Sequence, residues 1–419
     1  MNAMKPKIKD ILANLNNPAA LEKLYRADKL SFRQAFNSLF PEIKDNVLAS
    51  YWHERLNFAG EEISWGSRKE LLFVIVASLI AGALAKLPHY LPVAKDFFYS
   101  RNIGFIIFPF LAAYFAWKNK ISTSKIILIA VAMLGSLVFI NILPDVIKSD
   151  TLILSCIHLL LFLWAVTGFA FTGGDDTTEK RLGYLKYNGD LVVMTTLVVI
   201  AGGILSGITI GLFSLIGFNI EQFYFDNIVV FGLPAAPIFA TYLIQINPQL
   251  VGKVSPVIAK IFSPLVVVML VIYLSAIAYS GKDPYNDREF LLIFNALLIG
   301  VMAIIFFSVA ETSNTTKSRA EIWILFLLSV LTIVVNAVAF SAIVFRIVEG
   351  GFTPNRTAVL GGNFLILINL LLVTAQLFKV LTKKSAIDRV GRVIACYLPV
   401  YVVWTIIVTF LFSFIFGFK

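Results

Sequence analysis

The sequence predicts an all-α fold: a polytopic transmembrane helical bundle of about eleven spans behind a small N-terminal cytoplasmic helical module. Of its 419 residues, 58% are apolar and only 14% are charged, whereas soluble proteins average about 25% charged residues. The mean hydropathy is +0.84. A soluble fold of this length has too little interior to bury that apolar surface. From Leu71 onward, apolar runs of about 20 residues, enough to cross a bilayer, alternate with short polar loops.

Residues 1–68 form the predicted helical module. Asn17 before Pro18 is typical of a helix start, and Ser31 opens a stretch with capping-box spacing. A third helix is expected to open at Pro41. The second helix should bury Phe32, Ala35, Phe36 and Leu39, and the third Ile43, Val47, Leu48, Tyr51 and Trp52. The module is either a cap on the bundle or a surface for a cytoplasmic partner, and apolar stripes alone do not separate these interpretations.

Residues 69–419 form the predicted multi-pass transmembrane domain. Its apolar runs are separated by polar loops at a spacing that suits one span each. The second run is the shortest. The eleven runs cover about 71–87, 103–118, 124–143, 151–172, 190–217, 226–246, 257–280, 289–310, 321–347, 357–379 and 393–418.

The basic residues indicate an orientation. With the N-terminus in the cytoplasm, 26 of the 35 Lys and Arg residues lie in the module and the inner loops, and nine lie outside. Cytoplasmic loops carry the excess of Lys and Arg. We therefore expect a bacterial inner-membrane protein with its N-terminus cytoplasmic and its C-terminus outside. The net charge of +10 is read as this topology signal and not as a nucleic-acid surface.

Composition and motifs argue against cofactor chemistry. Cys156 and Cys396 both lie in apolar runs, and the chain has only three histidines. No Cys-x-x-Cys sequence and no Gly-Lys-Ser/Thr phosphate loop occurs. We expect no metal, no cofactor and no catalytic constellation, and therefore no enzyme.

Spans five and six have unusual glycine and proline patterns. Gly203, Gly207 and Gly211 recur every four residues and predict close approach of a neighbouring helix. Pro234 and Pro237 should kink or break span six. Interrupted helices of this kind mark the substrate sites of transporters, but they are also ordinary in membrane bundles.

Few polar side chains lie deep in the spans. The candidates are His158, Asn295 and Asn336, with Asn363 and Asn369 in span ten. An Asn in lipid is expected to form an interhelical hydrogen bond. His158 could relay protons, but no deep acidic residue accompanies it, which disfavours proton-coupled pumping.

The most distinctive local sequence joins spans nine and ten at 346–356. Gly350-Gly351 should end one helix, Thr353 should cap the next, and Pro354 should take its first position. Arg346 and Glu349 are spaced to pair. Two interpretations remain for the cations: Arg346 and Arg356, with Glu349, Thr353 and Asn355, could hold an anionic headgroup or phosphate, or the arginines could be interfacial anchors.

This hairpin resembles the signature of the domain-of-unknown-function 4153 family, in the pattern Arg-Ile-x-Glu-x-Gly-Phe-Thr-Pro-Asn-Arg. The stretch from Arg181 to Asp190 and the stretch from Phe231 to Pro237 are also similar to members of that family. The resemblance covers roughly residues 180–380. Gly350 stands where the family pattern leads us to expect an aromatic residue or His. The resemblance implies a polytopic bacterial inner-membrane protein and implies no reaction.

Two functional classes stay open, and a membrane enzyme ranks behind both. The first is a transport-like or envelope-maintenance role on a small solute or lipid. The second is a non-catalytic sensor or scaffold whose residues 1–68 bind a cytoplasmic protein. Membrane lipids are expected partners in either case. A discontinuous span five or six around a polar midplane cavity would favour transport, and an exposed apolar groove on residues 1–65 would favour partner binding.

Overall fold

A computed structural model shows that the chain is helical throughout, with no strand among the residues it describes. The predicted all-α helical fold is therefore confirmed. The chain divides into two compact units, Met1–Ser64 and Trp65–Lys419. The described residues are 4–27, 29–57, 66–146, 149–175, 177–215, 218–248, 263–272, 274–275, 288–311 and 319–418.

The first unit is a four-helix module with an aromatic core. Asn17 caps the helix that begins at Pro18, since its side-chain oxygen accepts the Ala20 amide at 3.1 Å. The face predicted to be buried, which carries Phe32, Ala35, Phe36 and Leu39, is buried. The rings of Phe32 and Trp52 lie 5.3 Å apart. The helices are α1 (Met4–Ala13), α2 (Pro18–Ala27), α3 (Lys29–Ile43) and α4 (Val47–Asn57).

The prediction that a helix opens at Pro41 is wrong. α3 continues through Pro41 to Ile43, and α4 begins only at Val47, where the side chain of Asn46 accepts the amide of Ala49. The buried face of α4 therefore differs from the predicted one. Val47 and Tyr51, which were expected in the core, are each 71% exposed.

The second unit contains the apolar helices. They are α5 (Arg68–Lys86), α6 (Lys95–Asn102), α7 (Phe108–Lys118), α8 (Thr123–Ile142), α9 (Asp150–Phe171), α10 (Thr178–Leu215), α11 (Glu221–Tyr224), α12 (Val230–Ile246), α13 (Ser263–Ile272), α14 (Arg288–Glu311), α15 (Arg319–Gly350), α16 (Pro354–Leu381), α17 (Asp388–Ile406) and α18 (Phe412–Ile415). Short 3-10 turns lie at Leu87–His89 and Ile103–Ile106, and π-helical turns lie at Phe225–Val229 and Ile407–Leu411.

Eight helical segments within the described ranges are long and apolar enough to cross a membrane. The chain is therefore an integral membrane protein. Two further apolar helices are shorter, Ser263–Ile272 and Asn295–Ala310. The predicted run 103–118 divides into a 3-10 turn and the 11-residue α7, because Pro109 starts a new helix there. Much of the predicted run 257–280 lies outside the described residues.

Two large apolar cores make up the second unit. The first is built from α5, α7, α8, α9, α12 and the Tyr184–Met194 part of α10. The second is built mainly from α14, α15, α16 and α17. α10 contributes Tyr184 and Tyr187 to the first core and Leu185 to the second, so its N-terminal half belongs to both.

Two predictions about spans five and six need correction. No atom lies within 4 Å of a Cβ built at Gly203, Gly207 or Gly211, so this stripe makes no close helix contact among the described residues.

Pro234 and Pro237 do not break span six, because α12 continues through both. The irregularity comes earlier, at the π turn, where the Val230 amide donates to the Phe225 carbonyl.

Candidate functional site

The segment from Arg181 to Asp190 lies at the junction of the two apolar cores. Tyr184 donates a hydrogen bond to the Trp164 carbonyl at 2.7 Å, and the Trp164 indole N–H donates to Asn188 Oδ1 at 2.9 Å. Arg181 also donates to the Ala395 carbonyl of α17 at 3.0 Å. Interhelical bonds inside lipid have no water to compete with them. This segment therefore ties α10 to both α9 and α17, which also pack against each other.

Tyr187 links the same segment to the proline-containing helix. Its hydroxyl lies 2.8 Å from Thr241 Oγ1, and Thr241 in turn donates to the Pro237 carbonyl at 2.8 Å. Since the single hydroxyl hydrogen of Thr241 is used on that carbonyl, Tyr187 is the donor in the pair.

Glycines allow the close approaches at this junction. A Cβ at Gly189 would lie 1.8 Å from the Phe307 ring of α14, and one at Gly168 would lie 2.7 Å from Tyr184. A Cβ at Gly391 would lie 2.9 Å from Leu182. At this junction the packing glycines are therefore Gly168, Gly189 and Gly391, whereas the predicted stripe at Gly203 has no described atom close to it.

The intramembrane amides behave largely as packing groups. Asn336 on α15 donates to the Asn363 carbonyl on α16 at 3.1 Å, which is the interhelical bond expected of it. Asn369 donates to the Tyr401 hydroxyl at 3.0 Å. His158 donates through Nδ1 to the Leu154 carbonyl of its own helix at 2.9 Å, since a carbonyl can only accept.

Some polar atoms in these helices have no hydrogen-bond partner among the described residues. They include Oδ1 of Asn295, Asn336 and Asn369, and Nδ2 of Asn363. Asn336 and Asn369 are fully buried, and Asn363 is 3% exposed. Buried polar atoms of this kind are bound in many proteins by ordered water.

The predicted hairpin between α15 and α16 is present. α15 ends at Gly350, Gly351 has φ +72°, and Thr353 caps α16 by accepting the Arg356 amide at 3.3 Å. Arg356 Nη1 donates to the Gly351 carbonyl at 2.9 Å, and its guanidinium lies where a side chain at position 350 would be. The Arg356 side chain therefore binds the turn that follows α15, which is a structural role within the chain.

The other hairpin candidates lie around this turn. Arg346, Thr353 and Asn355 are half-buried, and Glu349 is exposed. The apolar side chains of Val348 and Phe352 are 80% and 70% exposed at the tip. Exposed apolar residues beside an arginine suit an anchor at the membrane interface.

Sequence reasoning missed a buried arginine. Arg101 on α6 is 2% exposed and donates to the carbonyls of Ile140 and Leu143 at 2.6 and 2.9 Å, which terminate α8. Its Nη2 lies 3.3 Å from Asp145 Oδ1. The charge therefore stabilises the negative end of a helix dipole. No spacing rule in the sequence connects Arg101 with residues some 40 positions later, so only the fold reveals this contact.

A cavity of about 570 Å³ lies between α5, α7 and α8. Asn102 is the one polar residue of its lining, and its amide exchanges two hydrogen bonds with Asn141, at 3.0 and 2.8 Å. The cavity opens sideways at Ile126 and Leu134, which are 44% and 61% exposed. The lining comprises Leu84, Leu87, Phe98, Asn102, Phe105, Ile106, Pro109, Phe110, Ala112, Ala113, Ala116, Ile126, Ile129, Ala130, Met133, Leu134 and Leu137.

Charged side chains cluster at the end of the cavity formed by the α7–α8 turn. Lys118 pairs with Glu70 at 3.2 Å, and Lys125 and Lys180 lie 3.9 and 3.0 Å from Asp175. The hydrogen bond and charge of Lys180, with the charge of Lys125, hold the pKa of Asp175 below its ordinary value. These pairs lie beyond the apolar segments of their helices.

No group of three or more His, Cys, Asp or Glu residues that could hold a metal ion occurs within the described ranges. Comparisons of the chain with protein-family models, with curated proteins and with solved structures found no match.

Proposed function

We propose that this protein is a non-catalytic component of a bacterial inner membrane that binds membrane lipid in an envelope-maintenance role. The N-terminus would be cytoplasmic and the C-terminus outside, which the distribution of basic residues supports. The resemblance of the 346–356 hairpin to the domain-of-unknown-function 4153 family is part of this proposal. Its glycine turn and Thr353 cap support it as a structural signature.

The cavity between α5, α7 and α8 carries the proposal. Sixteen of its 17 lining residues are apolar, and the polar one, Asn102, has its amide satisfied by Asn141. A polar solute would find no hydrogen-bond partner in such a site, and its desolvation would be uncompensated. An acyl chain requires only apolar contact. Leu134 in the lining is 61% exposed, so the cavity is accessible from a surface of the helices that membrane lipid would cover.

Lipid is favoured over a small solute by the continuity of α10 and α12 as well. Both helices run without a break through their glycine and proline positions. A transporter site of the interrupted-helix type would need unwound backbone around a polar cavity.

The test fills the cavity from its open side. Ala113 and Ala130 line it and are exposed, so Ala113→Phe and Ala130→Phe place a ring in empty space without displacing the core. Val131→Phe is the matched control, because Val131 is 62% exposed on the same helix and lies outside the lining. Native mass spectrometry of the full chain after detergent exchange should show retained phospholipid in wild type and Val131→Phe, and little in the other two. Equal retention in all four proteins would refute lipid binding in this cavity.

A second candidate is a scaffold whose first unit binds a cytoplasmic protein. The observation that favours it is the exposed pair Val47 and Tyr51, which lie one turn apart on α4. A photo-crosslinking residue at position 51 in cells should give one discrete adduct that Val47→Glu abolishes. Absence of such an adduct would count against this candidate.

A further inference from the structure

The dimensions of the cavity suit one leaflet of a bilayer. Along α8 its lining runs from Ile126 to Leu137, a distance of about 16 Å at the helical rise per residue. Half of the hydrocarbon core is about 15 Å. The lining on α7 is shorter, from Pro109 to Ala116, about 10 Å at the same rise. An acyl chain lying along α8 would thus have its headgroup at one end of the cavity.

The α7–α8 turn at one end of the cavity is held by hydrogen bonds. Ile121 donates to the Ala116 carbonyl at 3.2 Å, and the side chain of Asn119 donates to the carbonyls of Ala170 and Phe171 at the end of α9. Lys120 has φ +49°, which places it in the left-handed region. The turn is therefore held in one conformation directly beyond Ala116 and Ile126, the last lining residues on each helix.

Among the described residues, this end of the cavity has an excess of positive charge. Lys118, Lys125 and Lys180 share two carboxylates, Glu70 and Asp175. The fourth lysine, Lys120, is exposed, and its side chain forms no hydrogen bond or ion pair with another described residue.

The first turn of α8 adds to the positive potential there. Ser122 makes no side-chain cap bond, so the first amides of the helix have no side-chain acceptor at their capping position. Helix N-termini favour anions, and phosphates bind there through main-chain N–H groups. With Lys120, this gives the site the charge that an anionic headgroup requires.

Two of the three cations at the opposite end are already engaged. Arg101 is buried on the α8 carbonyls beside Asp145, and Lys86 donates to Asn227. The third, Lys95, is exposed at the start of α6, next to Asp96. Among the residues named, four lysines accompany two carboxylates at the turn end, whereas three cations accompany two carboxylates at the opposite end, so the turn end carries the larger positive excess.

We propose that the cavity holds an acyl chain of an anionic phospholipid whose phosphate lies at the α7–α8 turn, beside Lys120 and the N-terminus of α8. This inference rests on the proposed lipid binding and adds the headgroup class and its position. Zwitterionic phospholipid can enter the same cavity, but it lacks the net charge that this end complements.

The experiment offers the purified full chain an equal mixture of phosphatidylglycerol and phosphatidylethanolamine and measures bound lipid by native mass spectrometry. An exposed ion pair with the added helix dipole should give a preference of about five-fold for phosphatidylglycerol. Lys120→Asn removes the charge with a residue that tolerates positive φ, and the ratio should fall to about one. Lys95→Gln at the opposite end is the control and should keep the preference.

The outcomes separate the two proposals. If wild type binds both lipids equally, or if Lys120→Asn keeps the preference, the headgroup assignment is overturned while cavity binding stands. If Ala113→Phe and Ala130→Phe retain as much lipid as Val131→Phe, cavity binding itself fails. A preference lost in Lys95→Gln and kept in Lys120→Asn would place the headgroup at the wrong end and overturn this inference.

Discussion

Two glycines of α10 should respond in opposite directions to the same substitution. At Gly189 an added Cβ would lie 1.8 Å from one carbon of the Phe307 ring and 1.9 Å from another, far inside any real contact. Overpacking of this kind costs about 1–3 kcal/mol, of which the better helix propensity of Ala returns about 0.5–1. At Gly203 the added methyl meets no atom of the described residues within 4 Å. There Gly→Ala should stabilise by about 0.4–1 kcal/mol.

The assay is thermal unfolding of the full chain in detergent. One kcal/mol corresponds to about 2–4 °C in Tm for domains of 150–250 residues, and less for a larger one. Gly189→Ala should therefore lower Tm by a few degrees, and Gly203→Ala should leave it unchanged or raise it by one or two. Phe307→Leu in the Gly189→Ala background should recover part of the loss, because the two side chains then share the space.

Shifts of the same sign at both glycines would refute this reasoning. If Phe307→Leu added to the loss of Gly189→Ala instead of relieving it, the clash would not be its cause. A lowered Tm for Gly203→Ala would contradict the open surface at that stripe.

The remaining predictions concern three other contacts. Arg101→Leu should destabilise by about 3–5 kcal/mol, because two buried carbonyls lose a charged donor, whereas Asp145→Asn should lower Tm little, since Asp145 is 70% exposed. Thr353→Ala should cost about 0.5–2 kcal/mol through loss of the α16 cap, seen as a lower Tm. Arg26 and Arg55 lower the pKa of Glu22 below 4.5, so this stabilisation is present above about pH 4.5 and is lost as the pH falls through the lowered pKa. Corrected amide-exchange protection of α2 should drop there, and Glu22→Gln should remove the pH dependence.

The sequence was most informative where local chemistry decides structure. Gly351, Thr353 and Pro354 define the hairpin through backbone conformation and capping, which act over a few residues. The Asn17 cap was predictable for the same reason. The α3–α4 boundary was not, because Pro41 is compatible with a helix start and yet lies inside α3, and only the Asn46 cap decides between the two.

The candidate site was less predictable because it depends on distant contacts. A glycine pattern indicates which helix face could pack, but not whether a neighbour is present. Gly203 has no described atom close to it, whereas the isolated Gly189 receives Phe307 from a helix more than 100 residues later. The cavity also depends on distant contacts, because its alanines line an empty space only where α7 and α8 lie side by side.

The junction in α10 also constrains the order in which the protein can assemble during synthesis. Tyr184 and Tyr187 find their partners on α9 and α12 as soon as α12 has been made. The positions of Leu182 and Gly189 stay uncovered until α14 and α17 emerge, more than a hundred residues later. A nascent chain should therefore complete its first apolar core while one face of α10 is still uncovered. The helices of the second core then pack onto a surface of α10 that is already folded.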